Sequence, residues 1–509
     1  MCAGRLARPA IDRGVRQRGL PLKAAGSAED NRLALAPRAK SGTGIGRWLR
    51  GSVVLAMALG VAACSSYRPW QNEAAAGSAT LAPPARLNER SLVVMVTLSG
   101  GGARAAAFGL GVLREMKATS FRWEGRETTL LDETSVIAGV SGGSVLAAYF
   151  AAFGDAALSS FEGDFLLADF QPRLIAQAMS PGHLHRLTSP WYGRSNVLAE
   201  QLDTLYRGAT YGDLAARHGA PYLLVTATDL STGAPFEFTA EQFALLCSDL
   251  REVPLSFAVA ASSAVPLLLA PLTLHNHAGS CPANRAPESS VTAEASYRAR
   301  LRSLGARAYA DAGERPFIHL VDGGLSDNLG VRALMDRLMT EDPLTHSLRD
   351  ARPQSIRKVV LIAVNAERDV AERIDRSDRV PTMSQVVDTL VFGAGARTTQ
   401  VTLGMLSDDV SQWRRELERH RGKGMSPFAA DAEIHVISLS LRDVAVARQR
   451  AALLQVPTAF TISREDVERL QWAGREVLRD SPDFQRLRAS LSASASASTR
   501  SSARASQPQ

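Results

Sequence analysis

Cysteine and histidine are scarce in this 509-residue sequence, which holds four of the first and nine of the second. The nearest approach to a metal site is His275-x-His277 followed by Cys281, and it has no fourth ligand at a recognisable spacing, so no metal is expected. Also missing is a Gly-Lys-Ser/Thr after the three glycines at 100–102, which excludes a Walker loop. An excess of one charge is missing from the body of the chain as well. The formal net charge of +7 arises at the N-terminus, where residues 1–50 hold eleven Lys and Arg against three acids and leave the remainder at −1. A nucleic-acid partner therefore has no electrostatic footprint in the body, and none is expected.

What the N-terminus contains instead is a targeting pattern. Arg47 and Arg50 precede the uncharged residues 51–63, and these thirteen positions are too few to span a bilayer as a helix but fit a signal-peptide apolar region. Val61-Ala62-Ala63-Cys64 resembles the lipobox of bacterial lipoproteins, which implies cleavage before Cys64 and a lipid on its thiol. Ser65 and Ser66 follow, with no Asp at the next position, so the resemblance implies the outer membrane of a bacterial envelope, with the protein facing the periplasm. Residues 1–46 form an Arg-rich extension that is long and irregular for a signal peptide; a translation start further downstream would account for it. Of the other cysteines, Cys247 and Cys281 are candidates for a disulfide in an oxidising compartment.

The sequence divides into an extension at 1–46, a signal peptide at 47–63, a flexible Ala/Pro/Ser-rich linker at 64–90, a main domain at 91–445, a helical region at 446–486 and a disordered Ser/Ala/Arg tail at 487–509. In the main domain, apolar runs of strand length recur at 91–98, 135–138, 222–228, 317–321, 359–364 and 434–439. Helical patterns lie between them, so an α/β fold with a mostly parallel sheet is expected.

Two strand ends carry unusual punctuation. The first run leads into Gly100-Gly101-Gly102-Ala103-Arg104, whose exposed amides suit an anion. This loop also satisfies a loose dinucleotide fingerprint, although Glu124, Glu127 and Asp132 are poorly placed as its acid. The second run leads into Gly139-Val140-Ser141-Gly142-Gly143, a strand, a sharp turn and a helix with serine at the apex. Such a turn is either a small-residue connection or a nucleophile elbow. A nucleophile beside a glycine-rich loop makes an acyl-transfer site, and Asp322 in Asp322-Gly323-Gly324 supplies a candidate base. A triad would need a histidine, for which His346, His420 and His435 are available, while His319 reads as a structural group.

These three motifs, in this order, resemble the patatin-like phospholipases: Gly-Gly-Gly-x-Arg at 100–104, the elbow at 139–143 and Asp-Gly-Gly at 322–324. Residues 226–233 and the small-residue stretch 257–266 resemble the family too, whereas Gly330 stands where proline is expected. The resemblance implies a three-layer α/β sandwich with a mostly parallel central sheet flanked by helices. It implies a Ser141–Asp322 dyad and an oxyanion hole at Gly100, Gly101, Gly102 and Arg104, with Gly139 and Gly143 shaping the elbow and no cofactor. A phospholipid or other acyl-ester lipid is the expected substrate, at a membrane reached through the anchor on Cys64. The competing classes are a lipoprotein that binds lipid or protein without catalysis, a triad carboxylesterase and a nucleotide-binding reductase.

Overall fold

The computed structural model describes residues 65–75, 90–281, 297–332, 334–335, 352–368, 377–389 and 394–505. Residues 64–509 form one compact body; residues 1–63, a separate unit, lie outside the described residues, as does Cys64.

Continuous β-branched runs with no polar alternation belong in strands covered on both faces, and they build one sheet. Its members are β1 (Leu92–Leu98), β4 (Thr134–Val140), β5 (Tyr222–Asp229), β6 (Pro235–Glu237), β7 (Leu272–His275), β8 (Phe317–Val321), β9 (Ile356–Asn365) and β10 (Phe428–Ser440), while β2 (Ser120–Trp123) and β3 (Arg126–Thr129) form a separate hairpin. The order is β10-β9-β1-β4-β5-β8-β7, with β6 also on β5. The pairs from β10 to β5 are parallel; β6, β7 and β8 pair antiparallel. The expected mostly parallel sheet flanked by helices is present. None of the three candidate acids for dinucleotide binding ends a strand of this sheet, because Glu124 and Glu127 fall in the β2–β3 hairpin and Asp132 in the turn after it.

Helices α1 (Gly102–Ala118), α2 (Gly142–Phe153), α3 (Phe170–Ala178), α4 (Pro181–Arg186), α5 (Arg194–Tyr206), α6 (Leu255–Ser262), α7 (Ala394–His420), α8 (Arg464–Asp480) and α9 (Pro482–Ala505) surround the sheet. Side chains of β1 alternate between two cores. Val94, Val96 and Leu98 join one that holds α1, α2, α6 and α8, while Val93 and Met95 join the other with α7.

Three expected boundaries move. Helix α8 packs so tightly on α1 that a Cβ on Gly111 would lie 2.1 Å from the Gln471 carbonyl oxygen, so the region after 446 is part of the main body. Residue 487 is no start of disorder: α9 runs through it, because Phe484, Leu487 and Leu491 recur at helical spacing and are buried. Residues 65–75, expected as free linker, lie along the body. There the buried Asn72 donates to Ser248 Oγ (3.0 Å) and the His275 carbonyl (3.1 Å), and Trp70 packs on Phe257.

Candidate functional site

The site grows from the register of three strands. Leu98 pairs with Gly139 and Val140 with Thr226, so the glycine loop after β1 and the elbow after β4 emerge side by side. Strand β8 runs the other way, with Val321 opposite Thr228, and its C-terminus descends onto the top of β5. That reversal delivers Asp322 to the same place as Ser141, and both line one pocket.

Ser141 is held at φ 48° and ψ −124°, a strained conformation for a residue with a side chain. The strain persists because neighbours fix the turn from several sides. The Ser141 amide donates to Ser262 Oγ (2.8 Å), which itself donates to the Thr226 carbonyl (2.7 Å), and Ser144 Oγ donates to the Ser141 carbonyl (2.6 Å). A Cβ on Gly142 would lie 2.1 Å from the Gly102 carbonyl oxygen, so elbow and glycine loop touch backbone to backbone. Gly139 and Gly143 flank this turn.

Asp322 is fixed by its own backbone, with its amide on the Ala264 carbonyl (3.0 Å) and its carbonyl accepting from Thr228 Oγ1 (2.8 Å). Its Oδ1 accepts from the Gly324 amide (2.8 Å), while its buried Oδ2 has no hydrogen-bond partner. Burial pushes its pKa up to about 6, against smaller opposing pulls from the Gly324 amide and the Ser141 hydroxyl. A carboxylate with a free oxygen and a raised pKa, close to a serine hydroxyl, can take that hydroxyl's proton near neutral pH.

The expected oxyanion contributors separate into two pairs. The amides of Gly101 and Gly102 have no acceptor among the described residues, and Gly102 abuts Gly142, whose amide follows the serine. Gly100 and Arg104 are engaged elsewhere. The Gly100 amide donates to the Asn328 carbonyl (3.0 Å), and Arg104 donates through Nε to the Ala366 carbonyl (2.8 Å) and through Nη1 to the Val456 carbonyl (2.7 Å) and Thr458 Oγ1 (3.1 Å). Arg104 therefore ties the loop to the C-terminal part of the chain. Burial and Arg368 lower its pKa to about 9, Glu367 opposing, and it stays a cation at neutral pH.

His319, His420 and His435 do not line the pocket; they lie on Thr273, at the exposed end of α7 and on Glu433 respectively. His346 lies outside the described residues. Cys281 is bonded to Cys247, which removes it as a ligand beside His275 and His277. No group of three or more metal-ligating side chains occurs among the described residues.

Four pocket residues, Asn328, Glu367, Arg368 and Thr458, carry no motif in the sequence, whereas the brace Ser262 lies in the stretch 257–266 that resembles the family. For Ser262 a signal existed in the paired serines closing the small-residue stretch 257–266. At Gly330 the chain turns with φ +65°, which proline cannot adopt, so the departure from the family pattern is a different local turn.

Residues 96–335 match the model of the family described as patatin-like phospholipase. No curated protein matches the sequence. Among solved structures, human GIVD cytosolic phospholipase A2 in complex with methyl gamma-linolenyl fluorophosphonate and terbium chloride is 14% identical with a TM-score of 0.34, covering 85% of this chain and 67% of that one. A second structure of human GIVD cytosolic phospholipase A2 is 12% identical with a TM-score of 0.37, covering 80% and 60%. VipD from Legionella pneumophila is 12% identical with a TM-score of 0.25, covering 82% and 73%. The chain thus spans 60–67% of the length of the human chains it matches.

Proposed function

We propose that this chain is a lipid acyl hydrolase of the patatin type, acting through a Ser141–Asp322 dyad, and that it works as a bacterial envelope lipoprotein anchored through Cys64. The observation that carries the catalytic part is the strained Ser141 sharing a pocket with the unpartnered Oδ2 of Asp322. The match of residues 96–335 supports the substrate class.

In this reading Ser141 Oγ attacks the acyl carbonyl carbon while its proton passes to Asp322 Oδ2. Negative charge develops on the carbonyl oxygen and is met by the amides of Gly101, Gly102 and Gly142 at the start of two helices. Collapse expels the alcohol, which takes the proton from Asp322 and leaves an acyl-serine. Water then repeats the cycle, with Asp322 accepting its proton and returning it to Ser141 as the fatty acid leaves. The chemistry draws on these protein groups and water.

The test is covalent labelling of the full chain with a fluorophosphonate, followed by intact-mass analysis and fatty-acid release from a panel of phospholipids. One adduct on the wild type and none on Ser141→Ala, with release lost in parallel, is expected. Equal labelling and release by both proteins would defeat the reading.

A further inference from the structure

The chain enters its folded body at an apolar face. The Ser65 amide donates to Thr188 Oγ1 (3.0 Å), just beyond α4, and Ser189 Oγ donates to the Tyr67 carbonyl (2.7 Å). Tyr67 stacks edge-on against Tyr192, with Arg186 over its ring, and Arg68 lies over the ring of Trp191. Arg194 extends this chain of contacts by donating to the Leu267 carbonyl (2.8 Å).

Large apolar side chains on this stretch are left in water. Ile175 and Met179 are 57% and 63% exposed, Leu184 and Trp191 44% and 45%, and Leu267 and Leu268 67% and 64%. An exposed leucine alone is unremarkable, but Leu184 and Trp191 flank the Thr188 and Ser189 that hold residues 65 and 67, Leu267 is tied to the same segment by Arg194, and such a set requires a reason. Leu267 adds a second peculiarity. It sits at φ +70° in a turn closed by the Leu269 amide on the Val265 carbonyl (2.9 Å). The fold thus maintains a strained turn whose tip presents two consecutive leucines to solvent, two residues from Val265 in the pocket wall.

Cations accompany the apolar groups. Arg68, Arg173, Arg186 and Arg194 lie on these same segments, and Glu200 accepts from Arg186 and His183. Apolar tips with arginine heads suit the boundary between acyl chains and anionic headgroups.

We infer that this face, made by Ile175, Met179, Leu184, Trp191, Leu267 and Leu268, docks on an anionic lipid bilayer and sets the pocket mouth against it. The occupant follows from the anchor in the proposed function: Cys64 is the residue before Ser65 in sequence, and Ser65 is held on Thr188 at this face, so the bilayer that takes the lipid is the partner this face meets. A lipid anchor alone leaves the body free to turn about its tether, and a second membrane contact on the body fixes its orientation. The strap at 65–75 then acts as a short fixed mount that keeps the pocket at the surface. The inference rests on the proposed function for the meaning of the pocket, but the docking itself can be measured without catalysis.

The test uses the chain from residue 64 onward carrying Cys64→Ser, which lacks both the leader and the anchor and comprises the compact body, and vesicles of phosphatidylethanolamine and phosphatidylglycerol at 3:1. Cosedimentation is expected, weakening at high salt. The triple variant Trp191→Ser/Leu267→Ser/Leu268→Ser in the same background should bind at least about tenfold more weakly, with an unchanged melting temperature and unchanged hydrolysis of a monomeric short-chain ester. Should the triple variant unfold, brominated lipid decides: it should quench the Cys64→Ser protein and quench it less after Trp191→Phe. Equal vesicle binding by parent and triple variant, or no quenching difference, overturns the docking face. Vesicle binding by a protein inert towards every ester would instead sink the proposed function and leave the docking face standing.

Discussion

The two faces of the central sheet are closed in different ways. On one face α1, α2 and α8 approach until backbones touch, at Gly111 against Gln471, Gly474 against Phe108 and Gly142 against Gly102. On the other, Leu406, Val410, Trp413 and Leu417 recur at helical spacing along α7 and are buried against β1 and β9 by side-chain packing. The first face ends in the site and the second does not. Close backbone approach is what lets amides and a strained serine converge; side-chain packing alone supplies stability and tolerates exchange.

That contrast is open to attack by mutation. The largest effect should come from Ser141→Ala, which removes the nucleophile and should lower kcat/KM by about 10⁴–10⁶-fold at unchanged stability, read by ester hydrolysis and thermal melts. Asp322→Asn should lower the rate by roughly 10³–10⁴-fold and raise stability at the same time. Because the Asp322 pKa is raised from the ordinary carboxylate range to about 6, its contribution to stability is intact below about pH 4 and is lost as pH rises through 6. The folded protein at pH 8 carries a deficit on the order of 2–3 kcal/mol that asparagine lacks. The variant's gain in melting temperature should therefore be clear at pH 8 and vanish near pH 4.

Gly142→Ala comes next. Its Cβ would press on Gly102 and open the amide pair, for an expected loss of about 10²–10³-fold in kcat, the usual size for a lost oxyanion donor. Smallest in catalysis should be Trp413→Ala on the α7 face. It should cost about 3–5 kcal/mol in a denaturant melt, yet leave kcat/KM of the folded fraction within about twofold. A large fall in kcat/KM for that variant would erase the distinction between the faces.

Legibility in the sequence followed the same division. Strands β1, β4, β5, β8, β9 and β10 announced themselves as apolar runs, and the elbow, glycine loop and Asp322 as local motifs whose chemistry is confined to a few neighbours. The wall of the pocket was not local. Thr458, Glu367 and Arg368 reach it through the ties of Arg104 to residues 366, 456 and 458, and a contact across some 350 positions leaves no periodic trace. For Gly100 and Arg104 the motif was readable but the partners were not: the Gly100 amide donates to the Asn328 carbonyl and the Arg104 guanidinium to the carbonyls of Ala366 and Val456. Composition misled at both ends. The strap at 65–75 is polar yet held by Trp70 and Asn72, and the Ser/Ala-rich α9 is seated by Phe484, Leu487 and Leu491. Helix α7 had an ordinary amphipathic pattern at 406–417 that periodicity could have found.

The central claim is that Asp322 is the base for Ser141, and the pH dependence of the acylation rate tests it most directly. Wild-type protein should show an acid limb with its midpoint at about 6, and the residual rate of Asp322→Asn should run flat across that range. A limb that survives Asp322→Asn and disappears on substituting one of the histidines would contradict the dyad.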